Sequence, residues 1–127
     1  MNQLTTLFVN NQNDQYRKCE ACHGGSGPFL LKDVIGKVKE KQFIKYLHDD
    51  IIPPGSTFGD HAHNGDEPFE EWYFCLSGDG VMSQDGQDYA MKPGDISVCF
   101  NGGSHGIRNT GKEDLRILVI GVSPIKE

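Results

Sequence analysis

Three histidines and a cluster of glutamates are the residues through which this 127-residue chain could do chemistry. His61 and His63 stand two positions apart, and Glu67, Glu70 and Glu71 follow them. His105 comes later, after a second glycine-rich segment. Side chains two apart on a strand point the same way, so one strand face can direct both imidazoles to one point. Neutral imidazole nitrogens and one carboxylate oxygen suit iron, manganese, zinc, nickel or cobalt, and four protein donors leave room for water or substrate on a six-coordinate ion. The plainer alternative is a set of histidines that merely hydrogen-bond at the mouth of a β-barrel. The added donors weigh against it.

Two stretches carry a family resemblance. The segment from Gly55 to Gly78, GSTFGDHAHNGDEPFEEWYFCLSG, resembles the first signature of the cupin superfamily, in which a glycine precedes HxH and a glutamate precedes a closing glycine. Gly55, His61 and His63 fit it, and Glu71 keeps the spacing to Gly78. The interval from His63 to Glu71 is longer than the family usually shows. Glu67 keeps the short interval but then lies too far from Gly78. The segment PGDISVCFNGGSHGIRN resembles the second signature through Gly94, Gly102, His105 and Asn109, with Phe100 where proline is expected. The resemblance implies an all-β fold, the cupin-type double-stranded β-helix or jelly-roll barrel. It implies one divalent metal on His61, His63, Glu71 and His105, and isomerase, epimerase, decarboxylase, lyase or dioxygenase chemistry. It also suggests that an N-terminal strand pairs with a neighbouring subunit.

Local physics bears on the choice of glutamate. Pro68 follows Glu67, biases it toward an extended or turn conformation and offers no amide donor, so Glu67 belongs to an irregular loop. Glu71 opens an aromatic strand, which fixes a side chain better. Glu70 is one step out of phase and points away.

The elements that must position these residues read as short strands. Phe29 to Ile35 and Phe43 to Ile52 are strands separated by the charged stretch KVKEKQ, a turn or exposed edge. Pro53-Pro54-Gly55 is a turn. Thr57, Gly59, His61 and His63 are expected on one strand face, with Gly59 leaving room beside the metal. In Glu71 to Leu76, Glu71, Tyr73 and Cys75 share one face and Trp72, Phe74 and Leu76 the other. Asp85-Gly86 between two alternating runs is a hairpin signal. Ile96 to Phe100, a strand beginning at His105, and Leu115 to Val122 complete the set. Many short strands with frequent turns read as an all-β barrel or double-sheet jelly roll. The length suits one domain, residues 1–127, with residues 1–27 as an N-terminal arm or lead-in.

Other residues carry lesser expectations. Tyr73 is the candidate catalytic proton donor, with a place in the core as the alternative. Arg108 lies out of phase with His105 and is expected at the surface, Asn109 is expected to cap a turn, and His48 beside Asp49 and Asp50 reads as a surface histidine. Cys75 and Cys99 read as small core residues. Cys19-Glu-Ala-Cys22-His23 matches the attachment pattern of c-type haem, but the strand-rich remainder and the absence of an export signal argue against haem. That stretch reads as a loop leading into Gly24-Gly25-Ser26-Gly27, with His23 or Cys22 near the barrel mouth.

The formal charge of −6 argues against nucleic acid or an anionic membrane as the main partner. The expected partner is a small molecule. No long apolar run or signal-peptide pattern is found, so a cytoplasmic location with free thiols is expected. Apolar strand faces near Phe8, Trp72, Phe74 and Leu118 predict a homodimer. The function expected is a divalent-metal-dependent enzyme on a small polar metabolite; the alternative is a metal-containing binding or sensing module without turnover.

Overall fold

The computed structural model describes residues 6–39, 41 and 43–123. Residues 1–5 of the expected N-terminal arm, and residues 40 and 42 of the charged KVKEKQ stretch, lie outside this set. Among the described residues ten strands form two sheets. They are β1 (Arg17–Glu20), β2 (Pro28–Asp33), β3 (Ile44–Ile52), β4 (Thr57–Ala62), β5 (Glu70–Ser77), β6 (Gly80–Gln84), β7 (Gln87–Met91), β8 (Ile96–Cys99), β9 (Ser104–Arg108) and β10 (Leu115–Val122). A 3-10 turn at Cys22–Gly24 joins β1 to β2. One sheet runs β1-β2-β3-β10-β5-β8 and the other β4-β9-β6-β7, and every pairing is antiparallel.

Alternation in the sequence sets the two-layer arrangement. Residues 115, 117, 119 and 121 of β10 are buried, and 71, 73 and 75 of β5 alternate in the same way. Directly opposed residues share a face, so the register gives inward rows across the larger sheet. Ile52 and Leu115 form one row. Asp50, Ile117 and Cys75 form the next, then His48, Val119, Tyr73 and Ser97, then Tyr46, Gly121, Glu71 and Cys99. The smaller sheet contributes Phe58, Ile107 and Met82, then His61, His105 and Gln84. The interior thus grades from an apolar end, built on Ile52, Phe58, Ile107 and Leu115, to a polar end built on glutamate and histidines. The hairpin between β6 and β7 turns on Asp85 and Gly86, at φ 49° and 83°. Two consecutive positive values define the tight turn whose twist matches the flanking strands.

The strand carrying the HxH pair departs from simple alternation. Phe58 pairs with Ile107 and His61 with His105, so Gly59 and Asp60 face Gly106 alone. This is a β-bulge, and it changes which residues point inward. Phe58 is buried in the core while Thr57 is only partly covered, and beyond the bulge His61 faces the interior. Thr57 and Gly59 therefore do not share one face with the histidines. The bulge needs Gly106, because a Cβ there would lie 2.9 Å from Phe58 O and 2.4 Å from the Asp60 carboxylate. Gly59 leaves no room beside the donors either. A Cβ on it would meet His23 O at 2.3 Å, because the 3-10 turn packs against β4 at that point.

A second correction concerns β3. His48 does not stand at a free surface: it is half-buried and faces inward with Tyr46 and Asp50. Asp49 and Asp50 are both buried. Asp49 points to the outer face, where Arg116 grips it with two bonds of 3.0 and 2.7 Å and Tyr16 donates to it at 2.9 Å. Asp50 Oδ1 has no partner among the described residues. Burial, then Asp49 and Glu71, push its carboxyl from 3.8 up to about 7.

Candidate metal centre

The polar end of the interior brings His61, His63, Glu71 and His105 together, their ligand atoms all within 4.8 Å of one another. Each comes from a different local arrangement. His61 sits on β4 just past the bulge. His63 follows the end of β4 and is tied to the turn before β9: its N–H donates to Gly103 O at 2.8 Å, and its carbonyl accepts from Gly102 N at 2.6 Å. Glu71 is on β5 and His105 on β9. Glu67 lies in the exposed 64–68 stretch of the connection, outside the cluster, and the Glu70 carboxylate accepts from Trp72 Nε1 on the outer face.

The contacts within the cluster are those of donors without an acceptable partner. His61 Nε2 and His63 Nε2 are 3.0 Å apart. His105 Nε2 is 2.8 Å from Glu71 Oε1, and His63 Nε2 is 3.6 Å from it. The His105 contact is not aligned as a hydrogen bond, and both of its atoms are buried without a hydrogen-bond partner among the described residues. A buried polar atom left in that state costs about 1–3 kcal/mol, more if charged. A purely hydrogen-bonded set of side chains would avoid that cost, whereas a cation at the common point would remove it. The tautomer of His61 fits as well. Its Nδ1 lies 3.0 Å from Gly59 O, so a proton placed there leaves the Nε2 lone pair free.

Burial and neighbouring groups shift two of the donors, His63 and Glu71, toward the charge states that suit a cation. Burial lowers the His63 imidazole below its ordinary value, with His105 and His61 adding to the effect against the pull of Glu71. Burial acts to raise the Glu71 carboxyl, but His105 and the Tyr46 hydroxyl outweigh it and hold Glu71 below the ordinary range. The Tyr46 hydroxyl donates to Glu71 Oε2. Its ring crosses Gly121, where a Cβ would fall 2.3 Å from a ring carbon, so glycine at 121 makes space for the tyrosine that orients the glutamate. No sequence motif marked Tyr46. The available signal was its place on the inward face with His48, Asp50 and Ile52.

A cleft of about 200 Å³ opens beside the donors, lined by His23, Tyr46, His61, Ala62, His63, Phe69 and Glu71 among others. His23 is exposed and stacks on His61, ring centroids 3.6 Å apart and planes 14° from parallel. Cys19 and Cys22, from the same sequence motif, are free thiols packed against the core. Burial, then Asp50 and Glu71, push the Cys22 thiol up to about 12, so it stays protonated at neutral pH. Tyr73 is buried with its ring centroid 4.9 Å from that of His105, and it does not line the cleft. Burial, then Glu71, push its phenol well above the ordinary value. Arg108 lies at the surface and pairs with Asp88 at 3.1 Å. Asn109 is buried and closes its turn, donating to Ile52 O and Glu113 O and accepting from Gly111 N. Cys75 and Cys99 are buried.

Two packed antiparallel sheets with three histidines and a glutamate converging at one end of the interior define a small β-barrel protein with a candidate metal centre. The cupin domain family matches residues 50–121. The chain belongs to the cupin family. It is 30% identical over 120 residues to a Thermotoga maritima protein described as oxalate-binding, covering 94% of this chain and 97% of that one. It is 34% identical over 70 residues to a 5-nitrosalicylic acid 1,2-dioxygenase from Bradyrhizobium, covering 55% of this chain and 32% of that enzyme. Among solved structures, a predicted oxalate decarboxylase from Thermotoga maritima superposes with a TM-score of 0.84 at 29% identity, covering 93% of this chain and all of that one. KdgF from Halomonas, at 16% identity and a TM-score of 0.74 over 96% of this chain and 97% of its own, shares the fold.

Proposed function

We propose that the chain is a divalent-metal-dependent enzyme acting on a small polar metabolite, and that this metabolite bears a carboxylate of the oxalate class. The observation that carries the proposal is the convergence of four donors, with Glu71 Oε1 and His105 Nε2 buried and unpartnered, beside a cleft of about 200 Å³. His61, His63, Glu71 and His105 hold one divalent ion of the iron, manganese, zinc, nickel or cobalt group. Such an ion supplies electrostatic polarisation of a bound carboxylate or carbonyl. The oxalate-binding relative and the predicted decarboxylase support the ligand class, and the dioxygenase relative keeps dioxygen chemistry among the reaction types.

The chain's own groups limit and orient that ligand. Phe69 and Ala62 wall a space suited to a molecule of few heavy atoms. Two phenols stand near the donors, Tyr46 at the cleft wall and Tyr73 behind His105. Burial raises both, Tyr46 also through its bond to Glu71, so both phenols stay protonated; Tyr46 gives its hydrogen bond to Glu71, and Tyr73 reaches the site only through its packing against His105. A second reading, a binding module without turnover, is favoured by the composition of the cleft. The one carboxylate lining it is Glu71, which is committed as a donor.

Calorimetry with oxalate on metal-free and manganese-loaded protein, followed by an assay for oxalate loss, tests both readings. Binding that requires the metal is expected, with disappearance of oxalate marking the enzyme and persistence marking the binding module. Equal binding without metal, or none with it, overturns the ligand class.

The subunit arrangement belongs to the same proposal. The outer face of the larger sheet carries Ile96, Phe74 and Leu118 in one row and Val98, Trp72, Ile120 and Leu47 in the next. Ile96 is 55% exposed. A second copy on this face would cover both rows. Sedimentation equilibrium at about tens of micromolar is expected to give a dimer, and a monomer at that concentration counts against it.

A further inference from the structure

His23 belongs to the one sequence motif, Cys19 to His23, that the four donors do not use. Its backbone lies in the left-handed region at φ 50°, as does that of Ala21, and Gly24 follows at φ 74°. Side-chain-bearing residues there cost on the order of 1 kcal/mol or more each, and they persist only where the surroundings over-determine them. They do so here. Ala21 N donates to Gly27 O at 3.1 Å, Gly25 N to Cys22 O at 2.9 Å and Thr57 N to Ser26 O at 2.8 Å. Ser26 N donates to Thr57 Oγ1 at 2.8 Å. Gly25 and Gly59 let the turn and β4 touch backbone to backbone, since a Cβ at Gly25 would lie 2.2 Å from Thr57 O. All of this fixes one side chain, the imidazole of His23, at the lip of the cleft.

The stacking geometry narrows what that side chain does. A ring lying parallel on His61 turns its face, not its nitrogens, toward the neighbouring histidine. His23 is accordingly outside the converging donor set. The residue lines the cleft that opens beside the four donors. Any aromatic ring could stack, and Phe69 already lines the same cleft. What the imidazole adds is an N–H directed along its own plane.

We infer that His23 donates a hydrogen bond to the small anion held at the metal centre, and so helps to select it. The inference rests on the metal-and-carboxylate reading above. The test uses the full chain loaded with cobalt(II), whose visible spectrum reports an anion entering the coordination sphere. Wild type, His23→Phe and His23→Asn are titrated with oxalate and with azide, and cobalt affinity is measured separately against a chelator. Phenylalanine keeps a ring to stack but has no donor. Asparagine keeps an N–H and tolerates positive φ. His23→Phe is expected to weaken both anions by about tenfold or more while cobalt affinity stays within about threefold, and His23→Asn to recover part of the loss.

Unchanged anion binding in His23→Phe overturns the inference. So does a fall in cobalt affinity that matches the fall in anion affinity, since His23 would then only support His61. An asparagine variant as weak as the phenylalanine variant overturns the hydrogen bond. If wild type takes azide but not oxalate, the carboxylate reading fails and the azide series still decides the role of His23. If it takes neither anion, both readings fail.

Discussion

Glu71→Gln is expected to weaken divalent-metal binding by at least about tenfold, while Glu67→Gln leaves it nearly unchanged, since even changes behind the donors cost about that much. Glutamine keeps the shape of the side chain but removes the anionic oxygen that lies 2.8 Å from His105 Nε2. It also gives Tyr46 a weaker acceptor than the carboxylate it now bonds. Glu67 has neither contact, and the 64–68 stretch that carries it is exposed throughout. Competition with a chromophoric chelator, run on both variants under one buffer, measures the two affinities. The reverse order would place the carboxylate donor in the loop and displace Glu71 from the centre.

The second large effect is expected on stability rather than on binding. Asp50→Asn should stabilise the metal-free protein above pH 7 and change it little near pH 4. Burial, then Asp49 and Glu71, hold the folded carboxyl at about 7, against an ordinary value of 3.8. Between those values the folded chain keeps a proton that the unfolded chain releases. The folded state then binds more protons, so stability falls as pH rises through this window. A difference of about three pH units corresponds to a few kcal/mol at most, of order 4. Asparagine has no charge to desolvate and should flatten this part of the profile. Urea denaturation of both proteins between pH 4 and 8, with a chelator present, tests it. Parallel profiles for the two proteins would show that Asp50 ionises as freely in the fold as out of it.

These two residues also mark what could and could not be read from the chain. The HxH pair, His105 and the aromatic strand that carries Glu71 were legible because each sits in a local pattern of spacing and alternation. The β6–β7 turn was legible from Asp85-Gly86 alone. The bulge at Gly59 and Asp60 was not, because its cause is the single residue Gly106 on the facing strand. A run of alternating residues carries no record of where its partner is one residue short. His48 read as a surface histidine because it stands beside Asp49 and Asp50, and carboxylates are seldom buried unpaired. Asp49 finds its partner in Arg116, 67 positions away, and Asp50 Oδ1 finds none among the described residues. His23 could be placed near the mouth but not upon His61, since that contact depends on two glycines in different elements fitting together.

The connection from His63 to β5 has a further consequence. Asn64, Gly65, Asp66, Glu67 and Pro68 are all exposed, and none contributes a donor, although Asn64 and Gly65 edge the cleft. The donors before and after it are fixed by backbone hydrogen bonds, His63 to the turn before β9 and Glu71 to β10, not by the length of the link. Coordination and admission are therefore separately addressable in this barrel. Lengthening or trimming the link is expected to resize the entrance while His63 and Glu71 stay in register, and this accounts for a spacing longer than the family pattern coexisting with converging donors.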